Sequence, residues 1–172
     1  MLLQQKGAKA DTTDTEYGQT PLVGAAGGGH ERVVKLLLER EDINPNTEES
    51  RFSRTPLLWA AGGGHERVVK LLLEREEIDP NISDTNFDQT PLMWAAENGH
   101  EGVLRLLLER EDINFDAIDA EYGEVLLLWA AQNEREGIVR LLLEREDINP
   151  ILQTPNLAER HSSGLRGEGR RR

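Results

Sequence analysis

Apolar residues along this chain come in short clusters that return at a fixed distance. Leu36-Leu37-Leu38 reappears at Leu71, Leu106 and Leu141, and Thr20-Pro21-Leu22 returns as Thr55-Pro56-Leu57 and Thr90-Pro91-Leu92, each step being 35 residues. Gly29-His30-Glu31, Gly64-His65-Glu66 and Gly99-His100-Glu101 keep the same step. Self-similarity at this period means one structural unit stacked on copies of itself. Each unit predicts two short helices. Thr20, Thr55 and Thr90 stand at N-cap positions with proline next, where a missing N–H costs nothing. An apolar helix follows, such as Pro91-Leu92-Met93-Trp94-Ala95-Ala96, whose small alanines let neighbouring helices approach, and glycine ends it. The second helix, Glu31 to Arg40 in the first unit, is apolar at Val33, Val34, Leu36, Leu37 and Leu38. So wide an arc needs packing partners on more than one side, as in a stacked array. Glu31–Lys35–Glu39 and its echoes, Glu66–Lys70–Glu74, Glu101–Arg105–Glu109 and Glu136–Arg140–Glu144, space charges four residues apart. Such pairs support a helix by about 0.2–0.5 kcal/mol each and predict a solvated outer face.

Between units runs a polar stretch, Asp42-Ile43-Asn44-Pro45-Asn46 through Arg54 in the first instance, that reads as turns. Tyr17, Phe52, Phe87 and Tyr122 recur in it, three residues before each cap position. That regularity predicts a hairpin base packed on its neighbour. The units run over 12–46, 47–81, 82–116 and 117–151. Residues 1–11 read as the end of a partial N-terminal unit. Residues 152–172 read as a truncated unit start at Thr154-Pro155-Asn156-Leu157-Ala158, followed by a basic disordered tail.

Thr-Pro-Leu-x-x-Ala-Ala, then Gly-His-Glu, then Val-Val-Lys-Leu-Leu-Leu-Glu, resembles the ankyrin repeat over about residues 2–151. The 35-residue unit, with Trp59, Trp94 and Trp129 before the alanine pairs and Asp-Ile-Asn-Pro in the turn, is similar to arrays abundant in filamentous fungi. The resemblance implies an all-α solenoid of stacked helix-turn-helix units with hairpin-like turns between them. Departures are visible. The histidine that usually follows Thr-Pro-Leu is replaced by Val23, Leu58, Met93 and Leu128, and Gly24 stands where later units have tryptophan, thinning the first core. The fourth unit has Val125-Leu126 for threonine-proline and Glu134-Arg135 for glycine-histidine, and is expected to be the loosest.

Charge changes the picture by exclusion. The chain carries −12 overall, while residues 159–172 hold five arginines against Glu159 and Glu168, a balance of +3 that leaves −15 on residues 1–158. Such a body repels a nucleic-acid backbone and favours partners with basic patches. No cysteine is present. Disulfides and thiolate metal sites are thereby excluded, and an intracellular address, cytoplasmic or nuclear, is expected. Met1 to Lys6 has no apolar run of signal-peptide length, and nowhere do eighteen apolar residues follow one another, so no membrane helix is expected.

Four patterns invite chemistry and fall short. His30-Glu31-Arg32-Val33-Val34 opens like a zinc-protease helix, but valine holds the place of the second histidine. Gly27-Gly28-Gly29 and Gly62-Gly63-Gly64 end helices, and no Gly-Lys-Ser/Thr follows. Asp42-x-Asn44-x-Asn46 and Asp112-x-Asn114-x-Asp116 match the start of a calcium loop, but lack its glycine and its bidentate glutamate. Glu41-Asp42 and its echoes recur in every unit, as solvated turn residues do. No catalytic residue, cofactor or metal site is therefore expected.

An ankyrin resemblance implies protein binding through inner helices and hairpin tips, at positions that vary while the frame stays fixed. In the turns these include Arg51, Arg54, Asn86, Gln89, Glu121 and Glu124; at the inner-helix ends they are Glu97, Asn98, Gln132 and Asn133. Phe87 and Tyr122 are candidate anchors, which places the surface toward units three and four. The competing reading is that these positions drift in solvent. At the level of function, a free-standing adaptor competes with the scaffold or sensing arm of a larger regulatory protein. A monomer is expected unless uncapped ends associate.

Overall fold

The computed structural model describes residues 11–114 and 120–144. They form helices α1 (Pro21–Gly27), α2 (Glu31–Leu38), α3 (Pro56–Gly62), α4 (Glu66–Leu73), α5 (Pro91–Glu97), α6 (Glu101–Leu108), α7 (Ala120–Gln132) and α8 (Glu136–Glu144). Odd-numbered helices stack on one another as an inner layer, even-numbered ones as an outer layer, and each pair packs together to make one unit. Among the described residues there is no strand, and no helix is long and apolar enough to cross a membrane.

The repeated residues do what their chemistry requires. The hydroxyls of Thr20, Thr55 and Thr90 accept hydrogen bonds from the amides of Val23, Leu58 and Met93 at 3.2, 3.2 and 3.4 Å. Proline opens each of those three helices. Leu22, Leu57 and Leu92 are buried at equivalent places, and Ala26, Ala61 and Ala96 let inner helices come together. Gly29, Gly64 and Gly99 turn the chain at φ of +68°, +69° and +75°, a region that admits glycine freely. On the outer face the four-residue ladder closes as Arg105–Glu101 at 2.7 Å and Arg140–Glu136 at 2.9 Å. A Cβ built on Gly24 would meet nothing within 4 Å, so the first unit is as thin there as its sequence indicates.

Seams between units are also hydrogen-bonded. His65 and His100 meet the carbonyls of Gly27 and Gly62 in the preceding unit, each at 2.9 Å, which requires the tautomer that carries hydrogen on Nε2. Asn46 and Asn81 tie successive turns by donating to the carbonyls of Glu77 and Asp112. Asp11 sits one unit before Asn46 and accepts from the amide of Asn44 at 3.0 Å. Asn46 Oδ1 accepts from Asp79 in the same way. Two of the carboxylates that suggested a calcium loop are engaged in this framework, Asp42 with Arg40 at 2.8 Å and Asp112 with Arg110 at 2.6 Å, and Asp116 lies outside the described residues.

The fourth unit departs from the other three. Helix α7 runs thirteen residues from Ala120, whereas α1, α3 and α5 have seven each. The hairpin expected around Tyr122 is replaced by helix. With Val125-Leu126 in place of threonine-proline, nothing rejects a helical residue before position 126, and the helix propagates backward. Residues 1–10, assigned to a partial unit, and the truncated start and tail at 152–172 lie outside the described residues, as do 115–119 and 145–151.

Candidate protein-binding surface

Hairpin tips between units are built on an acidic residue that repeats every 35 positions: Asp14, Glu49 and Asp84. Its carboxylate folds back on the amides of the tip. Asp14 accepts from Glu16 (2.8 Å), Tyr17 (2.6 Å) and Gln19 (3.0 Å); Glu49 from Arg51 (2.7 Å) and Phe52 (2.8 Å); Asp84 from Phe87 (2.9 Å). The same residues close each tip through the backbone, Asp14 to Gln19 at 3.0 Å, Glu49 to Arg54 at 3.1 Å and Asp84 to Gln89 at 3.0 Å. The next-to-last tip residue adopts positive φ as Gly18, Ser53 and Asp88. The Tyr17 amide, chief among several, holds the Asp14 carboxyl below its ordinary value. Burial pushes Asp84 upward, but the Phe87 and Gln89 amides and Arg54 together outweigh it and leave it lowered.

Neighbouring tips are joined. Ser50 donates to the Tyr17 carbonyl from its amide (3.1 Å) and its hydroxyl (2.9 Å), and Thr85 donates to that of Phe52 at 2.9 Å. The recurring aromatic lies on these tips. Tyr17 and Phe87 are exposed, Phe87 by 68%, and Phe52 is half-buried beneath two arginines. The expectation of a hairpin base packed on its neighbour therefore does not hold for Tyr17 or Phe87. Phe52, on a tip anchored in the same way by Glu49, differs in being covered by Arg51 and Arg54.

Between units 2 and 3 sits a stack centred on Arg54. Its guanidinium lies over Trp94 at 4.3 Å, Phe52 at 4.6 Å and Trp59 at 5.1 Å, and Nε donates to Asp84 at 3.2 Å. Trp59 and Trp94 meet edge to face, 6.1 Å apart. The Arg54 side chain is 11% exposed and that of Asp84 is fully covered. This arginine braces the surface from behind. The Trp59 and Trp94 indole N–H groups are buried there without a protein acceptor.

Besides Arg54, the variable positions singled out in the sequence fall into four groups. Arg51, Asn86, Phe87, Glu97 and Gln132 are exposed. Gln89 is buried and holds Glu97 through a 2.5 Å hydrogen bond. Asn98 and Asn133 are exposed, but each donates its amide to a tryptophan carbonyl four residues back, at 2.8 Å, finishing the inner helix. Glu121, Tyr122 and Glu124 lie in the first turns of α7, and their side chains are outside the described residues. Sequence reasoning missed Asp14, Glu49 and Asp84. The signal was a 35-residue recurrence that continues to Asp119, hidden because the position holds Asp in three units and Glu in one. Among the described residues no three His, Asp or Glu side chains are placed to share a metal ion.

What this surface offers is a rigid frame carrying interchangeable side chains. The family model for ankyrin repeats, in three copies, matches residues 1–84 and 76–153, and the chain belongs to the ankyrin-repeat family. No curated protein matches the chain significantly.

Proposed function

We propose that this protein binds another protein, without catalysis, through the inner-helix and hairpin face of units 2 and 3, continuing into unit 4. The observation that carries this is Phe87. A large aromatic 68% exposed to solvent is held on a tip fastened by Asp84 and by the neighbouring tip. Rigid aromatic side chains that lose little entropy on contact are the usual centres of protein interfaces. Arg51, Asn86 and Glu97 surround it as variable contacts, with Gln132 and Asn133 farther along. Arg54, Gln89 and Asn98 set their positions. The net charge of −12 supports a partner that presents basic residues around an apolar centre.

The test compares partners captured from native cell extract by the unaltered chain, by Phe87→Ala and by an outer-face variant, Lys70→Ala. A partner lost at least tenfold with Phe87→Ala and retained with Lys70→Ala is the expected result. Equal loss with both, or loss only with Lys70→Ala, moves the interface off this face. The likeness to filamentous-fungal arrays supports the second reading, an arm of a larger regulatory protein. An intact mass well above 19.3 kDa in the cells that make it favours that arrangement.

A further inference from the structure

Among the described residues, units 1 and 4 carry exposed apolar side chains on the sides away from units 2 and 3. On unit 1, Val33 is 47% and Leu36 63% exposed, although Val68 and Val103 at the same place are buried and Leu71 and Leu106 are half-buried. On unit 4, Leu128 and Leu143 are each 56% exposed, whereas Met93 and Leu108 one unit earlier are buried. A hollow of about 380 Å³ opens beside them, lined in part by Ala131, Glu134, Arg135 and Val139.

The internal seams show what such faces accept. Residues 60–76 repeat residues 25–41 without a single change. The face α4 turns toward α2 is therefore chemically the one α2 leaves open. Inside the molecule that face is filled by α2. Helix α8 matches residues 31–39 at six of nine positions, and its own far side is uncovered at Leu143. Polar groups agree. Arg67 pairs with Glu31 of the preceding unit at 3.4 Å, while Arg75 and Arg110 donate to the carbonyls of Leu38 and Leu73 at 3.1 and 3.0 Å. Arg32 and Arg40 hold the corresponding places on the open side of unit 1. Glu136 and the Leu143 carbonyl hold the complementary ones on unit 4.

We propose that copies of this chain associate head to tail, the outward face of unit 4 seating on the outward face of unit 1 in the next copy. Arg32 then faces Glu136, and Arg40 reaches the Leu143 carbonyl. One place fits less well. At Gly29 and Gly64 the histidine ring of the following unit lies 2.6 and 2.5 Å from where a Cβ would stand, and unit 4 has Glu134 there. His30 must swing aside, so the contact is weaker than an internal seam and depends on concentration. Being heterologous, it leaves an open face at either end and grows by addition unless the ring closes.

Sedimentation equilibrium on the full chain, with Leu36→Glu and Leu143→Glu, tests this. Both leucines are exposed, so the variants keep the fold, which circular dichroism checks. The expected wild-type mass climbs from 19.3 kDa through multiples as concentration rises. Each variant alone stays at 19.3 kDa, because one of its two faces is blocked, and an equimolar mixture stops at twice that mass. A wild-type chain that remains at 19.3 kDa throughout overturns the proposal. A variant that still dimerises alone overturns it equally, since like faces would then be pairing.

Discussion

Gly62 shows how much one missing methyl group can decide. A Cβ there would collide with the Trp94 ring, whereas one at Gly27 would meet Trp59 at an ordinary 3.6 Å. Gly62→Ala is therefore expected to push Trp94 out of the Arg54 stack and to destabilise the protein by about 1–3 kcal/mol. Gly27→Ala is expected to be neutral or stabilising by up to about 1 kcal/mol, since alanine suits a helix better. Tryptophan fluorescence and urea titration of the two variants separate these outcomes. Neither was legible beforehand. Both glycines sit in the same Ala-Ala-Gly-Gly-Gly run, and the difference arises from a side chain one unit away. The burial of Arg54 was hidden for the same reason, because it depends on Asp84 and Trp94, thirty and forty residues further along.

At the scale of elements, the helices could be read and the hairpins only in part. Threonine caps, N1 prolines and breaking glycines act within a few residues, so α1 to α6 fall where the pattern put them. The start of α7 did not, because losing a cap reads equally well as a loose helix or a longer one. Hairpin tips instead depend on carboxylates whose ionised form accepts amide hydrogen bonds. Asp14 and Asp84 both have lowered folded values, from an ordinary 3.8. A lowered carboxyl adds stability in full above its unfolded value, and that stability is lost as pH falls through the folded one. The tips anchored by Asp14 and Asp84 are thus expected to loosen below about pH 4. Asp84→Asn should flatten that acid dependence, and at neutral pH should cost about 1–3 kcal/mol by leaving Arg54 unpaired in a covered place. Thermal denaturation followed from pH 3 to 7 is the measurement.

For the whole molecule, stability is local to each seam. In an array each unit touches only its neighbours, so the ends are held less firmly than the middle. Units 2 and 3 have two neighbours, capped inner helices and the Arg54 stack. Unit 4 lacks the threonine cap, worth about 1 kcal/mol, and the histidine seam. Amide hydrogen exchange is expected to be slowest in α3 to α6 and at least tenfold faster in α7 and α8. Uniform protection across all units would mean the array unfolds as one body.

Two stretches of seventeen identical residues, 25–41 and 60–76, set the chain a problem of address. While it folds, either stretch fits the other's seat, and skipping a unit merely loops out 35 residues, a closure that grows costlier only slowly with length. Two of the differences that flank them lie just upstream: Gln19 against Arg54 and Gly24 against Trp59. Only the second pair can build the stack with Trp94 and Asp84. A copy of unit 1 placed there would leave a hollow beside Trp94 and a carboxylate without its arginine. The Arg54 stack therefore lets the chain count, marking which of two indistinguishable segments comes second.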